Sequence, residues 1–306
     1  MPTVAVILIN YNSARYTLEC LESVIEKTSG DLEFELVVVD NNSKEKDYQY
    51  LLENWPKDSR IKLVRSDINT GFGGGNMRGR IEVKGKYLLF LNNDTQLLND
   101  CLSLLSQYMD QHPEVGVCTA QNYDEHGRFV PSFDHNKGLR KLLFGRGLLQ
   151  KTNPKRYPDR KKEYDQPLVV DWVNGAFLFF RAADFDAIGG FDPDVFLYFE
   201  EMDLGHRLRK IGKQSVLHPD ARILHHQGVS IGRSKEIDKE AYISYLYVIG
   251  KNRGRVYALM INLYLIAVCL IKPKKWYLLP TLLSGGSPKK SLKNKQTARI
   301  SDASGH

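Results

Sequence analysis

Three groups of carboxylates stand where acid–base or ligand chemistry is possible. Asp40 directly follows the β-branched run at 36–39 and Asp94 follows the apolar run at 87–91, so both fall where buried strands end. A carboxylate in such a place accepts hydrogen bonds from a base N–H or from ribose hydroxyls, and a second one holds a hard divalent cation against a pyrophosphate. The third group, Glu200-Glu201-Met202-Asp203, opens a helix-like segment directly after Phe196-Leu197-Tyr198-Phe199. Acids in a first helical turn complement the macrodipole, which accounts for Glu200 and Glu201 taken alone. Aromatic walls on their N-terminal side raise a carboxyl pKa and suit it to the work of a general base.

The elements that must position these groups alternate buried strands with crossover helices. Residues 4–9, 36–39, 61–64 and 87–91 are near-continuous apolar runs, as in parallel strands covered on both faces. Residues 14–27 and 98–109 carry apolar side chains at helical spacing, and helices between parallel strands make an open α/β sheet. Ligands of such sheets sit beyond the carboxyl ends of the strands. There the chain is polar four times over, at Asn10-Tyr11-Asn12-Ser13, at Asp40-Asn41-Asn42-Ser43, in the glycine-rich loop from Asn69 to Asn76, and at Asn92-Asn93-Asp94-Thr95. One such loop is a helix cap; four on one edge make a crevice. A basic, proline-containing stretch at 122–167 is expected as a surface excursion or lid. Strand character resumes at 169–173 and 176–180. A short helix at 182–188, a break at Gly189-Gly190, a helix at 200–211 and a strand at 221–224 ending in His225-His226 follow.

Composition narrows the function classes. With 42% apolar and 26% charged residues the 306-residue chain is an ordinary globular protein. The four cysteines are scattered, without a C-x-x-C pair, so neither a disulfide framework nor a zinc knuckle is indicated and a reducing compartment is expected. No basic, apolar leader precedes the first strand, and a cytosolic chain is expected. The net charge of +7 is confined to the end: from Lys272 onward there are eight Lys and Arg and one acid, Asp302. A neutral body with a basic tail argues against nucleic acid as a partner. The glycine cluster fails as a dinucleotide fingerprint, because Asn76 stands where a glycine is needed. It fails as a Walker A loop too, because Tyr87 follows Gly85-Lys86.

Taken in order, DNNS at 40–43, NTGFGGGN at 69–76, NNDT at 92–95, VNGAFLFFR at 173–181, GGFDPDVFLYFEEMDL at 189–204 and LHHQG at 224–228 resemble the family 2 glycosyltransferases of GT-A fold, especially their rhamnosyltransferase-like branch. The resemblance covers about the first four-fifths of the chain. It implies an α/β fold, an open and mostly parallel sheet flanked by helices, with a nucleotide-sugar-binding half at 1–120 and an acceptor and catalytic half at 121–235. Asp40 is the implied nucleobase-binding acid. Asn10, Asn12, Asn42, Gly71, Phe72, Gly73, Gly74, Asn76, Asn92 and Asn93 are implied as further nucleotide-sugar contacts, and Trp172, Asn174 and Gly175 as acceptor contacts. The metal-binding motif falls on Asn92-Asn93-Asp94, where Asn92 replaces the first acid and leaves Asp94 as the one carboxylate ligand. His225 matches a histidine ligand of related enzymes, with His226 as its alternative. Glu201 is the implied base, and Glu200 and Asp203 are implied as orienting or acceptor-contacting.

The reaction so implied is an inverting, Mn2+- or Mg2+-dependent transfer of one sugar from a nucleoside diphosphate donor to a hydroxyl of a glycan or lipid-linked glycan, in bacterial surface polysaccharide synthesis. Thymidine diphosphate rhamnose is the favoured donor, ahead of uridine diphosphate hexoses and galactofuranose. A sugar nucleotidyltransferase is the second reading within enzymes, but it calls for a basic glycine-rich loop where Asn10-Tyr11-Asn12 stands. A non-catalytic sugar-nucleotide or glycan-binding scaffold is the third, and the presence of both Glu201 and Asp94 argues against it.

Residues 256–271 are apolar apart from Asn262, and 16 residues of helix span about 24 Å, short of the roughly 30 Å of a bilayer core. Lys251, Arg253 and Arg255 precede this stretch, and Lys272, Lys274, Lys275, Trp276 and Tyr277 follow it. The pattern predicts a C-terminal helical region at 236–285 that docks on the inner face of the cytoplasmic membrane, assisted by a disordered basic tail at 286–306.

Overall fold

The computed structural model of the chain describes residues 2–226 and 234–298. The last two residues of the LHHQG motif, Gln227 and Gly228, and the tail beyond 298 lie outside the described residues. The N-terminal half runs β1 (Val4–Asn10), α1 (Ala14–Lys27), β2 (Phe34–Asp40), α2 (Glu45–Glu53), β3 (Ile61–Arg65), α3 (Gly71–Arg80), β4 (Tyr87–Asn92), β5 (Thr95–Leu97), α4 (Cys101–Gln111) and β6 (Val115–Tyr123). The two-residue strands β7 (Phe129–Val130) and β8 (Phe133–Asp134) lead to α5 (Leu139–Thr152). Then come β9 (Leu168–Val170), β10 (Trp172–Val173), β11 (Phe177–Arg181), α6 (Ala182–Ala187), α7 (Glu200–Lys210) and β12 (Gln214–His225). Helices α8 (Lys235–Arg253), α9 (Arg255–Ile271) and α10 (Leu279–Leu283) close the chain, with 3-10 turns around and after them.

The main sheet has the order β3-β2-β1-β4-β11-β6-β12-β5, with β7 and β9 on its flank. Its first four strands are parallel, and β11 turns the direction by pairing antiparallel to both β4 and β6. The strands are apolar on both faces because helices cover both. Alternation along β1 shows the division: Val4, Val6 and Leu8 pack with Leu21 and Leu102 on one side, while Ala5 and Ile7 pack with Phe90 and Phe185 on the other. Each such aliphatic burial contributes about 1.5–3 kcal/mol. A third cluster joins α7 to α8 and α9 through Met202, Tyr245, Val248 and Ile261.

Four expectations change. The glycine-rich stretch is not a loop: Gly71–Arg80 is a helix, and its glycines let it lie directly on β1, since a β-carbon at Gly79 would stand 2.5 Å from Ile7 and one at Gly75 2.9 Å from Ile9. The helix expected at 98–109 begins at Cys101, because the Asp100 side chain accepts the Ser103 N–H (3.0 Å) as its cap, and residues 95–97 pair as β5 with β12 instead. The basic stretch at 122–167 is partly internal. Lys141 and Arg160 neutralise buried Asp134 at 2.7 and 3.0 Å, and Arg156 neutralises buried Asp171 at 2.8 Å.

The fourth change concerns the C-terminus. Disorder does not extend to 286–298: Pro288–Lys290 and Leu292–Lys295 are 3-10 turns, and Ser291 is buried. Within this stretch Lys293 and Lys295 pair with Asp194 and Glu236, so the basic tail is not free as a whole to meet anionic lipid. No helix among the described residues is long and apolar enough to cross a membrane. One face of α9 buries Ile261 and Cys269, while Val256, Leu259, Met260, Leu263, Leu270 and Ile271 are exposed, Ile271 to 80%.

Candidate active site

Parallel pairing puts the ends of β1, β2 and β4 side by side, with Asn10 opposite Asp40 and Ile9 opposite Asn92. Beyond them opens a pocket of about 530 Å³. Its floor is Ile9, Tyr11, Leu91, Asn92, Asn93 and Asp94; Asn69, Gly71, Phe72 and Asn76 line it from the start of α3; and Phe196, Leu197 and Tyr198 close the side toward α7. His225, at the end of β12, completes it, because the β12–β5 pairing sets His225 against Thr95 and brings its Nε2 to 3.4 Å from Asp94 Oδ1.

Asp40 is present at this edge but does not line the pocket. It is completely buried, and its oxygens accept from Asn10 Nδ2 (3.0 Å) and the Ser43 N–H (3.3 Å), with Arg65 Nε 3.6 Å away. Asn10 is equally buried and also reaches Ser43 and Asp47. Asn12 and Asn42 adopt left-handed backbone (φ 53° and 66°), and Asn12 Oδ1 accepts the Lys44 N–H at 2.8 Å. These four expected nucleotide-sugar contacts thus build the loops around the pocket. Gly73 and Gly74 turn toward Phe191 and Thr70 and do not line it either.

Asn41, unlike Asp40 and Asn42 beside it, lines the pocket. Its Nδ2 donates to Asn69 Oδ1 (3.1 Å) and the Gly71 carbonyl (3.0 Å), and its Oδ1 accepts from the Thr70 N–H and hydroxyl (both 3.1 Å), so it pins the entry of α3 to β2. The strand-end motif contained Asn41, but period-two alternation could not say which of its residues turns to the pocket. Tyr11 was likewise visible in its loop, as an aromatic ring among amides.

The second half of the site is the start of α7. Tyr198 and Phe199 both have φ of 70°, a conformation costly for bulky residues and held here by packing. The Ser244 hydroxyl donates to the Leu197 carbonyl (2.9 Å), the Phe199 ring lies 5.1 Å from Tyr245, and Lys137 Nζ sits 4.4 Å over that ring. This bend delivers Glu201 to Gly175. A β-carbon at Gly175 would collide with Glu201 Oε1, so only glycine admits the carboxylate. Gly175 adjoins Ala176, whose carbonyl accepts the Asn92 N–H at 3.0 Å, so Glu201 is seated beside the wall that ends in Asp94.

Burial pushes the Glu201 carboxyl above the ordinary carboxylate range, against the pull of its own N–H, the Gly175 N–H and the Lys137 cation. Glu200 is pushed well above that range, first by burial and then by the charge of Glu201. Its Oε1 has no hydrogen-bond partner among the described residues. Asp203 is different. It is fully buried and bonded to Arg207 (2.8 Å), Lys251 (3.0 Å) and Asn252 (2.7 Å), which makes it the tie between α7 and α8 with no access to an acceptor. Asn174 caps its own turn by accepting the Ala176 N–H (3.0 Å), and Trp172 packs against Gly205 of α7. Neither lines the pocket.

Of the side chains lining the pocket, Asp94 and His225 are those with metal-ligand chemistry. They supply one hard oxygen and one imidazole facing the same space, and His225 Nδ1 is buried without a hydrogen-bond partner among the described residues. No group of three His, Cys, Asp or Glu side chains that could hold a metal occurs among those residues. The pair therefore fits a cation that takes its remaining ligands from phosphate oxygens and water, as Mg2+ commonly does. His226 is drawn aside, its N–H on the Asp94 carbonyl (3.0 Å) and its ring against Tyr16 (5.3 Å).

Comparison with known proteins agrees with this geometry. The family described as glycosyl transferase family 2 matches residues 5–186. An N-acetylglucosaminyl-diphospho-decaprenol L-rhamnosyltransferase of Mycobacterium tuberculosis is 26% identical over 238 residues, 72% of this chain and 76% of its own. Rhamnosyltransferase WbbL of Escherichia coli is 24% identical over 230 residues, 73% of this chain and 83% of its own. Among solved structures, GalNAc-T7 with UDP, GalNAc and Mn2+ superposes with a TM-score of 0.60 at 16% identity, covering 81% of this chain and 48% of that one. The fold is GT-A, with the sheet flanked by helices as the motifs implied.

Proposed function

The chain belongs to glycosyl transferase family 2, and from that premise we propose an inverting transferase that moves one sugar from a nucleoside diphosphate donor to a hydroxyl of a bacterial glycan or lipid-linked glycan. One observation carries this reading. A carboxylate with a raised pKa, Glu201, is seated on Gly175, next to Ala176, whose carbonyl holds Asn92 of a pocket that Asp94 and His225 also line; Glu201 itself stands behind the lining residues. Glu201 accepts the proton of the acceptor hydroxyl as that oxygen attacks the anomeric carbon, while the nucleoside diphosphate leaves from the opposite face. Burial raises its proton affinity, which suits it to act as the base. Asp94 and His225 would hold a cation, Mn2+ or Mg2+, and its charge would offset that of the departing diphosphate. Ile9, Tyr11 and Phe72 offer apolar surface for the base, and Asn41 and Asn69 fix the helix start beside the phosphates.

The rhamnosyltransferase relatives support thymidine diphosphate rhamnose as the donor. The test is release of nucleoside diphosphate from a panel of thymidine, uridine and guanosine diphosphate sugars, with a prenyl-diphosphate-linked acceptor and Mn2+ present. Release from thymidine diphosphate rhamnose above all others is expected, and release from none of them overturns the reading.

The exposed apolar face of α9 supports peripheral docking on anionic lipid, since Lys272, Lys274, Lys275 and Trp276 are exposed at its end. Leu143 and Phe144, in the first part of α5, add exposed apolar surface beside it, because Tyr257 and Tyr264 of α9 bond to Leu139 and Leu142 of α5 (both 2.9 Å). Co-sedimentation with anionic vesicles is expected for the wild type and not for a Leu259→Glu, Leu263→Glu variant. Equal partitioning of the two removes this face from membrane contact.

A further inference from the structure

The pocket has a wall that no motif announces. Besides the sheet edge, α3 and the bend before α7, it is lined by Ile237 from the first turn of α8 and by Leu292 and Gln296 from the C-terminal turns. The segment that carries Leu292 and Gln296 is fixed on both sides of the opening. On the α8 side, buried Glu240 accepts the Ser291 hydroxyl and the Leu292 N–H, both at 2.7 Å, and Lys295 pairs with Glu236 at 3.1 Å. Lys293 donates to the Pro193 carbonyl (2.8 Å), on the loop that leads to the α7 bend. On the nucleotide-binding side, Asn42 Nδ2 donates to the Thr297 carbonyl at 3.4 Å.

We infer that residues 291–297 form a strap across the donor pocket and that Leu292 and Gln296 are donor-contacting residues which set its affinity for the nucleoside diphosphate sugar. The physical argument is placement. Glu240 is 1% exposed, and burying a carboxylate is costly unless hydrogen bonds satisfy it; Ser291 and Leu292 supply two. That requirement holds the strap down independently of any ligand. Leu292 then presents apolar surface to the pocket, and Gln296, whose Nε2 donates to the Leu292 carbonyl (3.0 Å), retains its amide oxygen to accept from a base or sugar. An outer wall at this position also limits the access of water to a bound diphosphate, which strengthens the interactions inside. The basic residues of the tail, on this account, serve to dock the strap on the acids at 194 and 236.

The inference rests on the transferase reading, and its test separates the two. Binding of uridine, thymidine and guanosine diphosphate to the full-length wild type and to a full-length Leu292→Ala, Gln296→Ala variant is measured by calorimetry with Mn2+ present. The variant is expected to bind about tenfold or more weakly, as for loss of a well-packed side chain and a hydrogen bond from a ligand site. Hydrogen exchange of the wild type is the second measurement, with slower exchange at 291–297 expected when the same nucleotides saturate the protein. Equal affinity of wild type and variant, or exchange at 291–297 that nucleotide leaves unchanged, overturns the strap while the transferase reading stands. No binding of uridine, thymidine or guanosine diphosphate to the wild type overturns both.

Discussion

Near one pocket the chain places a single buried carboxylate and, elsewhere, a pair of adjacent carboxylates, and treats the two regions in opposite ways. At the end of β2, Asp40 is surrounded by donors from Asn10 and Ser43 and by the Arg65 guanidinium. At the start of α7, buried Glu200 stands beside half-buried Glu201, one with an oxygen that finds no partner among the described residues and the other leaning on the backbone of Gly175. Hydrogen bonding to a buried carboxylate stabilises its charged form; burial with a like charge beside it destabilises that form. The first arrangement fixes a loop. The second stores proton affinity, which is what the proposed general base requires. Position beside the pocket alone therefore does not set a carboxylate's proton affinity; its donors and neighbouring charges do.

The largest effect is expected at Glu201. Glu201→Gln keeps shape and removes proton acceptance, so transfer should fall by about 10²–10⁴-fold while calorimetric donor binding survives. Near-normal turnover would move the base to Glu200 and erase the contrast as a guide to chemistry. Asp94→Ala comes next. Transfer should drop by roughly 10²–10³-fold and cease to respond to added Mn2+, whereas a wild type that stays fully active in excess chelator removes the cation from the site.

Gly175→Ala sharpens the comparison further, because its β-carbon displaces the Glu201 carboxylate without changing any charge. Misplacement of that kind costs about 10²-fold in turnover, read at unchanged donor affinity, and full activity would show that the carboxylate does not need its seat.

The smallest effects are thermal, and the two regions should differ in sign. Asp40→Asn loses charge-assisted hydrogen bonds and is expected to cost about 1.5–3 kcal/mol in denaturant unfolding. Glu200 has its folded pKa raised above the unfolded value, so its contribution to stability is fully present below the unfolded pKa and is lost as pH rises through the folded one. Glu200→Gln should therefore raise Tm relative to the wild type more at about pH 8.5 than at about pH 5. A rise that is the same at both values, or a fall like that of Asp40→Asn, would put Glu200 among the satisfied carboxylates.

Much of this arrangement is local and was legible without coordinates. Apolar runs specify β1, β2, β3 and β4, and helical spacing specifies α1 and α7, because side-chain periodicity depends on neighbours a few positions away. The positions of Asp40, Asp94 and Glu201 at strand or helix ends follow from the same periodicity. So does the polar edge on which the pocket opens.

What the sequence determined by itself, then, is which residues reach the crevice edge; the tertiary structure alone decided what each one faces there. Asp40 turns inward because parallel pairing sets it beside Asn10, and His225 meets Asp94 because β12 pairs with β5. Glu201 finds a seat because α7 packs on the turn that holds Gly175, and the glycines of α3 serve close packing on β1 more than loop freedom. The tail that composition marked as disordered became a pocket wall through one buried carboxylate, Glu240. The reason is common to all of these. Periodicity is encoded in adjacent residues, whereas pairing partners and the satisfaction of buried polar groups depend on which distant segments the packed core brings together.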